Sequence, residues 1–85
     1  MKLRILFVDD EPMILNGLKR MLRGMRDEWE MRFVDRGEKA IQAMEREPYD
    51  VVVSDMRMPG MNGAELLNRI MVDYPQTVRF ILSGY

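Results

Sequence analysis

Eighty-five residues, 47% of them hydrophobic and 32% charged, make one small globular domain. Thirteen Lys and Arg against fourteen Asp and Glu leave a formal net charge of -1, so bulk charge draws the chain to neither nucleic acid nor an anionic membrane. The absence of Cys and His excludes disulfides, thiolate and imidazole metal sites, cysteine nucleophiles and serine-protease triads, and leaves any chemistry to carboxylates, hydroxyls, Arg, Lys and the backbone.

Met1-Lys2 leads directly into a short apolar run, Leu3 to Val8, that reads as a buried strand. No small-residue cleavage site of a signal peptide is present, and no apolar run approaches the roughly 20 residues that span a bilayer; a cytoplasmic domain is expected. Pro12 then opens a helix that Gly24 closes. Its apolar stripe is Ile14, Leu18, Met21 and Met25 with Leu15 and Leu22 beside it, and Lys19, Arg20, Arg23 and Arg26 face outward. From Trp29 to Val34 the texture changes: Trp29, Met31 and Phe33 alternate with Glu30 and Arg32, the pattern of a strand with one wet face at a sheet edge. A second helix fits Glu38 to Glu45, with Ala40, Ile41 and Met44 inward. Val51 to Val53 reads as a third strand, and Pro59, Gly60 and Gly63 mark a tight loop after it. The third helix fits Ala64 to Val72 with Leu66, Leu67, Ile70 and Met71 inward, and Val78 to Leu82 forms a fourth strand covered on both faces.

Strands alternating with helices argue an α/β fold with a parallel sheet and right-handed crossovers. In such a sheet ligands bind outside the carboxyl ends of the strands, where neighbouring connections leave to opposite faces. Acids stand at two of those ends: Asp9-Asp10-Glu11 after the first strand and Asp55 after the third. If these strands are neighbours, three or four carboxylates converge, and like charges so close recruit a cation or hold a proton. An all-oxygen donor set suits Mg²⁺, and a carboxylate beside it is a plausible nucleophile toward a phosphoryl group. The competing explanation is helix capping by Asp9, Asp10 and Glu11, with Asp55 an ordinary loop acid. Ser83 and the N–H of Gly84, at the end of the fourth strand, could bind an oxyanion held on Asp55.

Three segments, Val8-Asp9-Asp10-Glu11-Pro12, Val53-Ser54-Asp55-Met56-Arg57-Met58-Pro59-Gly60-Met61-Asn62-Gly63 and Ile81-Leu82-Ser83-Gly84-Tyr85, resemble the receiver domain of two-component response regulators in wording, order and spacing. The resemblance implies a flavodoxin-like, CheY-like parallel sheet of strand order 2-1-3-4, the family's order being 2-1-3-4-5. It implies that Asp55 accepts a phosphoryl group from a phosphohistidine on a sensor histidine kinase or phosphotransfer protein. It further implies that Asp10, Asp55 and the backbone carbonyl of Arg57 hold Mg²⁺, with Asp9 contributing through water. The N–H groups of Met56 and Gly84 would contact phosphoryl oxygens, Ser83 would be the switch hydroxyl, and Tyr85 would lie near the access route. Pro59 and Gly63 would shape the loop, and the basic face of the first helix is where receivers usually meet the kinase.

Receivers continue with a fourth helix, a fifth strand carrying a phosphate-pairing Lys, and a fifth helix. The expectation here is therefore a C-terminally truncated receiver, residues 1–85, from a longer regulator with a C-terminal output domain. The wording around Asp55 and Ser83 resembles receivers joined to HD-GYP or HDOD output domains. Strand four would then present an apolar edge open to self-association. Two other functions fit some of the residues. A Mg²⁺-dependent phosphohydrolase with an aspartyl nucleophile usually needs an Asp two residues further on, where Arg57 stands. A phosphorylation-independent interaction module would have no use for the acidic pair and Asp55. A signalling domain, not an enzyme turning over a substrate of its own, is expected.

Overall fold

The computed structural model describes residues 2–56, 58 and 60–82. The elements run β1 (Leu3–Val8), α1 (Pro12–Met21), a 3-10 turn (Arg23–Met25), β2 (Trp29–Val34), α2 (Gly37–Arg46), β3 (Val51–Asp55), α3 (Gly63–Asp73) and β4 (Val78–Leu82). All strand pairs are parallel, in the order β2-β1-β3-β4 expected from the sequence. The chain steps from β1 outward to β2 and then back across to β3 and β4. With right-handed crossovers this reversal puts α1 on one face and α2 and α3 on the other.

The two faces are filled unequally. Leu6, Val8 and Val52 project from the sheet onto Ala40, Ile41 and Met44 of α2 and Leu66 and Ile70 of α3, with Tyr49 and Met58 closing the cluster. On the other face Ile5, Phe7 and Leu15 are buried, and the Phe7 and Phe33 rings stack with centroids 4.8 Å apart. Among the described residues only α1 lies over this face, and Ile14 is 45% exposed, Met21 76% and Phe80 56%.

Several sequence expectations are corrected here. Of the predicted α1 stripe only Leu15 is buried. The helix ends at Met21, with the Leu22 N–H on the Leu18 carbonyl, so Met25 and Gly24 belong to the following 3-10 turn. β4 is not covered on both faces: Val78, Phe80 and Ile81 are exposed, and its neighbour among the described residues is β3 alone. Met71 faces outward, because the inward stripe of α3 is Gly63, Leu66 and Ile70 with Leu67 beside it. Helices α2 and α3 each extend one residue beyond the predicted span at both ends.

Arg4, which the strand pattern treats as part of a buried run, lies instead at the rim. Its guanidinium pairs with Glu30 and Glu47, its N–H donates to Asp50 Oδ2 at 2.8 Å, and the hydrogen bond to Glu30 above all holds its pKa above the ordinary value. Thr77 Oγ1 donates to the Tyr49 carbonyl at 2.8 Å, tying the entry of β4 to that of β3.

Candidate functional site

The reversal of direction between β1 and β3 opens a crevice at their carboxyl ends. Val8 lies in register with Ser54, so the residues that follow each, Asp9 and Asp55, stand at the same level at the carboxyl edge of the sheet. One carboxylate oxygen from each of Asp9, Asp10 and Asp55 comes within 4.8 Å of the other two. The convergence expected from acids at two strand ends is therefore present, and Glu11 is not part of it.

Helix capping does not account for the acids. Glu11 is the N-cap residue of α1 and makes no side-chain cap bond. Asp9 Oδ1 instead accepts the Glu11 N–H at 2.9 Å, which folds the turn back and fixes one oxygen of Asp9. The Asp9 N–H donates to the Val34 carbonyl at 3.1 Å, so its backbone remains on the sheet ladder. Asp9 is only 4% exposed, while Asp10 and Asp55 are half-buried. Burial pushes the Asp9 carboxyl above its ordinary pKa; the Glu11 N–H opposes this, and the charges of Asp55, Asp10 and Glu11 add to it.

The Asp55 backbone is clamped from two sides. Ser54 Oγ, fully buried, donates to the Asp55 carbonyl at 2.9 Å. Gly63, the first residue of α3, lies so close that a Cβ there would sit 2.1 Å from the same oxygen and 2.8 Å from Met56 Cα. Its N–H donates to the Met56 carbonyl at 3.0 Å, closing the loop. Asn62 caps α3 by accepting the Glu65 N–H at 2.9 Å. Sequence reading passed over Asn62, although an Asn three residues before a Glu at a helix start is a recognisable capping signature. Met58 is buried in the core and Met61 packs against it and against Gly37, so both hold the loop and Met56 is the exposed one. Gly60 adopts φ +76°, the left-handed conformation the turn requires.

The remaining predicted site residues, Arg57 with its carbonyl, Ser83 and Gly84, lie outside the described residues, as do Pro59 and Tyr85. Three mutually repelling carboxylates with hard oxygen donors fit a small divalent cation, Mg²⁺ above softer metals, and Asp9, Asp10 and Asp55 are the side chains that would hold it. Among the described residues no helix is long and apolar enough to cross a membrane.

Comparison with known proteins points the same way. The family model of the response regulator receiver domain matches residues 5–85. The hydrogenase transcriptional regulatory protein HoxA of Cupriavidus necator is 35% identical over 81 residues, which cover 95% of this chain and 16% of HoxA. This chain thus spans about a sixth of that relative. The signal receiver domain of an HD domain-containing protein from Pseudomonas fluorescens superposes with a TM-score of 0.94 at 32% identity, covering 100% of this chain and 66% of that one. A chain from the crystal structure of histidine kinase ThkA in complex with response regulator protein TrrA gives a TM-score of 0.86 at 35% identity, covering 100% of this chain and 71% of that one.

Proposed function

The chain belongs to the family of response regulator receiver domains of two-component systems, and from that premise we propose that Asp55 is its phosphoacceptor. The observation that carries the reading is the gathering of Asp9, Asp10 and Asp55 carboxylates within 4.8 Å of one another at the β1–β3 crevice. Asp55 attacks the phosphorus of a phosphohistidine on a sensor kinase or phosphotransfer protein. The P–N bond breaks, an Oδ–P bond forms, and the imidazole nitrogen departs with the electron pair, giving an acyl phosphate. The kinase complex among the structural relatives supports this class of donor.

Asp9, Asp10 and Asp55, with the Arg57 carbonyl, are the groups that would hold Mg²⁺. When bound, the ion offsets the carboxylate repulsion and the charge on the transferring oxygens. The N–H groups of Met56 and Gly84 contact phosphoryl oxygens, and the Ser83 hydroxyl moves onto the new phosphate. Such a switch is a population shift, and taking a two-state element most of the way across needs about 5 kcal/mol of differential contact. Charge-assisted bonds from Ser83 and the two backbone donors are its source in this chain. The HD domain-containing relative supports an output domain of HD type in the full regulator, and a cytoplasmic setting follows from a kinase donor.

Incubation with a small acyl phosphate and Mg²⁺, followed by intact-mass and peptide mapping, tests this. A phosphoryl label on Asp55 that persists and is absent in Asp55→Asn is expected. Rapid release of phosphate without stable label points to a hydrolase, and no reaction at any Mg²⁺ concentration refutes the assignment.

A further inference from the structure

β2 stands at the end of the sheet, with β1 its only neighbour among the described residues. Its backbone bonds to β1 are bracketed by Leu3 N–H on the Glu28 carbonyl (3.2 Å) and Asp9 N–H on the Val34 carbonyl (3.1 Å). Strand alternation therefore turns the backbone groups of Glu28, Glu30, Arg32 and Val34 toward β1, and those of Trp29, Met31 and Phe33 outward, open for pairing. The side chains divide by face. Trp29, Met31 and Phe33 are half-buried on the α1 side, where Phe33 stacks on Phe7. Glu30 and Arg32 lie on the α2 side, and each side chain is 54% exposed despite the pairs that Glu30 makes with Arg4 and Arg32 with Glu47.

Around Met31 the order Trp29-Glu30-Met31-Arg32-Phe33 is self-complementary for an antiparallel partner. We propose that β2 pairs antiparallel with β2 of a second copy of this chain, about a twofold axis through Met31, joining two four-stranded sheets into one. In this register Met31 faces Met31, and Trp29 of each copy faces Phe33 of the other. These are the outward-facing residues, so each such pair exchanges two backbone hydrogen bonds. Glu30 of each copy faces Arg32 of the other in the non-hydrogen-bonded positions, where side chains approach most closely. Sliding the strands by two residues sets Glu30 against Glu30, with Glu28 then facing Arg32, or sets Arg32 against Arg32, so the register centred on Met31 is the one with no like charges facing each other across residues 28–34.

The groove beside the strand supplies a second match. Arg32, Lys39, Gln42, Arg46 and the acid Glu47 line it over a floor of Val34 and Ala43, with a volume near 180 Å³. The residue of the second copy that faces Val34 is Glu28, which is exposed and makes no ion pair among the described residues. That carboxylate would enter a groove where cations outnumber acids. β4, the other end of the sheet, has no such match: Arg79 is its only charged residue, and no acid on the strand answers it.

Analytical ultracentrifugation of the intact chain, from micromolar to millimolar concentration, tests the pairing. A monomer–dimer equilibrium is expected, weakened about tenfold or more by Glu30→Arg or by Arg32→Glu, each of which replaces two attractive pairs with two repulsive ones. An equimolar mixture of the two variants should regain the parent affinity as a heterodimer, since their altered strands complement each other; this recovery cannot come from misfolded protein. The exchange Glu30→Arg/Arg32→Glu should dimerise by itself. Met31→Cys places the chain's single thiol on the axis. Facing backbones about 5.5 Å apart there permit a disulfide, so mild oxidation should give a covalent dimer. A monomer at every concentration overturns the proposal, and so does a dimer that ignores both charge reversals and dissolves on Phe80→Lys.

Discussion

Gly63→Ala tests how tightly the site depends on one close approach. The added Cβ would sit 2.1 Å from the Asp55 carbonyl oxygen and 2.9 Å from its carbon. An unstrained carbon–oxygen contact lies near about 3.3 Å, so the overlap is more than about an ångström. The obstructing atoms are backbone and cannot rotate away. Either α3 withdraws from β3, opening the core at Leu66 and Ile70, or the Asp55 segment shifts and carries its carboxylate with it. Overpacking costs about 1–3 kcal/mol where side chains can adjust, and a clash with backbone belongs at the top of that range or above. At roughly 4–8 °C per kcal/mol for a domain this small, Tm should fall by about 12–24 °C. Mg²⁺ affinity, read by titration calorimetry at a temperature where the variant is folded, should drop about 10- to 100-fold, the usual effect of disturbing what orients a ligand. A Gly63→Ala protein with parental Tm and parental Mg²⁺ affinity would refute the claim that this contact positions Asp55.

Gly17, in the middle of α1, should behave oppositely, because a Cβ added there meets nothing within 4 Å; Gly17→Ala should raise stability by about 0.5–1 kcal/mol in chemical denaturation. At Gly60 the conformation is the constraint, since φ is +76°; Gly60→Ala should cost about 1–2 kcal/mol by the same measurement, with less effect on Mg²⁺ binding than Gly63→Ala. The acids give two pH dependences of opposite sign. Asp9 has a raised pKa, chiefly through burial, so the folded state holds that proton more tightly than the unfolded state, and stability falls as pH rises from the usual carboxylate range to the raised value. Asp9→Asn should therefore be more stable than the parent at neutral pH in a metal chelator, with the gap closing on acidification. Asp35 is lowered chiefly by the Lys39 ammonium 3.0 Å from its Oδ1, so its contribution is present above the usual carboxylate range and lost as pH falls through the lowered value; Lys39→Met should remove that loss from acid unfolding curves.

What the sequence disclosed follows from how local each determinant is. The strands were legible because apolar runs and the Trp29–Phe33 alternation are short-range signals, and the placement of β2 at an edge followed from its wet face. The acidic cluster was legible because parallel topology brings strand ends together, so acids after β1 and β3 had to meet if those strands were neighbours. Solvent exposure was not legible in the same way. Ile14, Met21 and Phe80 carry the pattern of buried residues, yet whether they are buried depends on what lies over the α1 face, and a helix stripe does not encode that. Arg4 was misread for a related reason: its position in the strand pattern is that of a core residue, and only the approach of Glu30 and Glu47 from two other elements reveals the rim. The role of Gly63 lay between these cases. A loop glycine is visible in the sequence, but the 2.1 Å approach that makes it obligatory is a tertiary fact.

The geometry of the acidic site rests on one face of the sheet more than on the other. Asp55 is held by Ser54, Gly63 and the Met58-anchored loop, all tied to the α2–α3 side, where the buried cluster is continuous. Asp9 is held by the β1–β2 ladder and its own turn. The exposed Ile14 and Met21 of α1 and Val78 and Phe80 of β4 belong to the other side; Ile81, in register with Ser54, is the exposed apolar residue of β4 on the α2–α3 side. The register Val8 to Ser54 therefore sets the spacing between Asp9 and Asp55, and a slip of one residue in that pairing would flip the side chains that follow to opposite faces and scatter the carboxylates. A cation held by these carboxylates would bind with an affinity that follows the stability of the β1–β3 pair and the α2–α3 core, and that is insensitive to whatever covers α1.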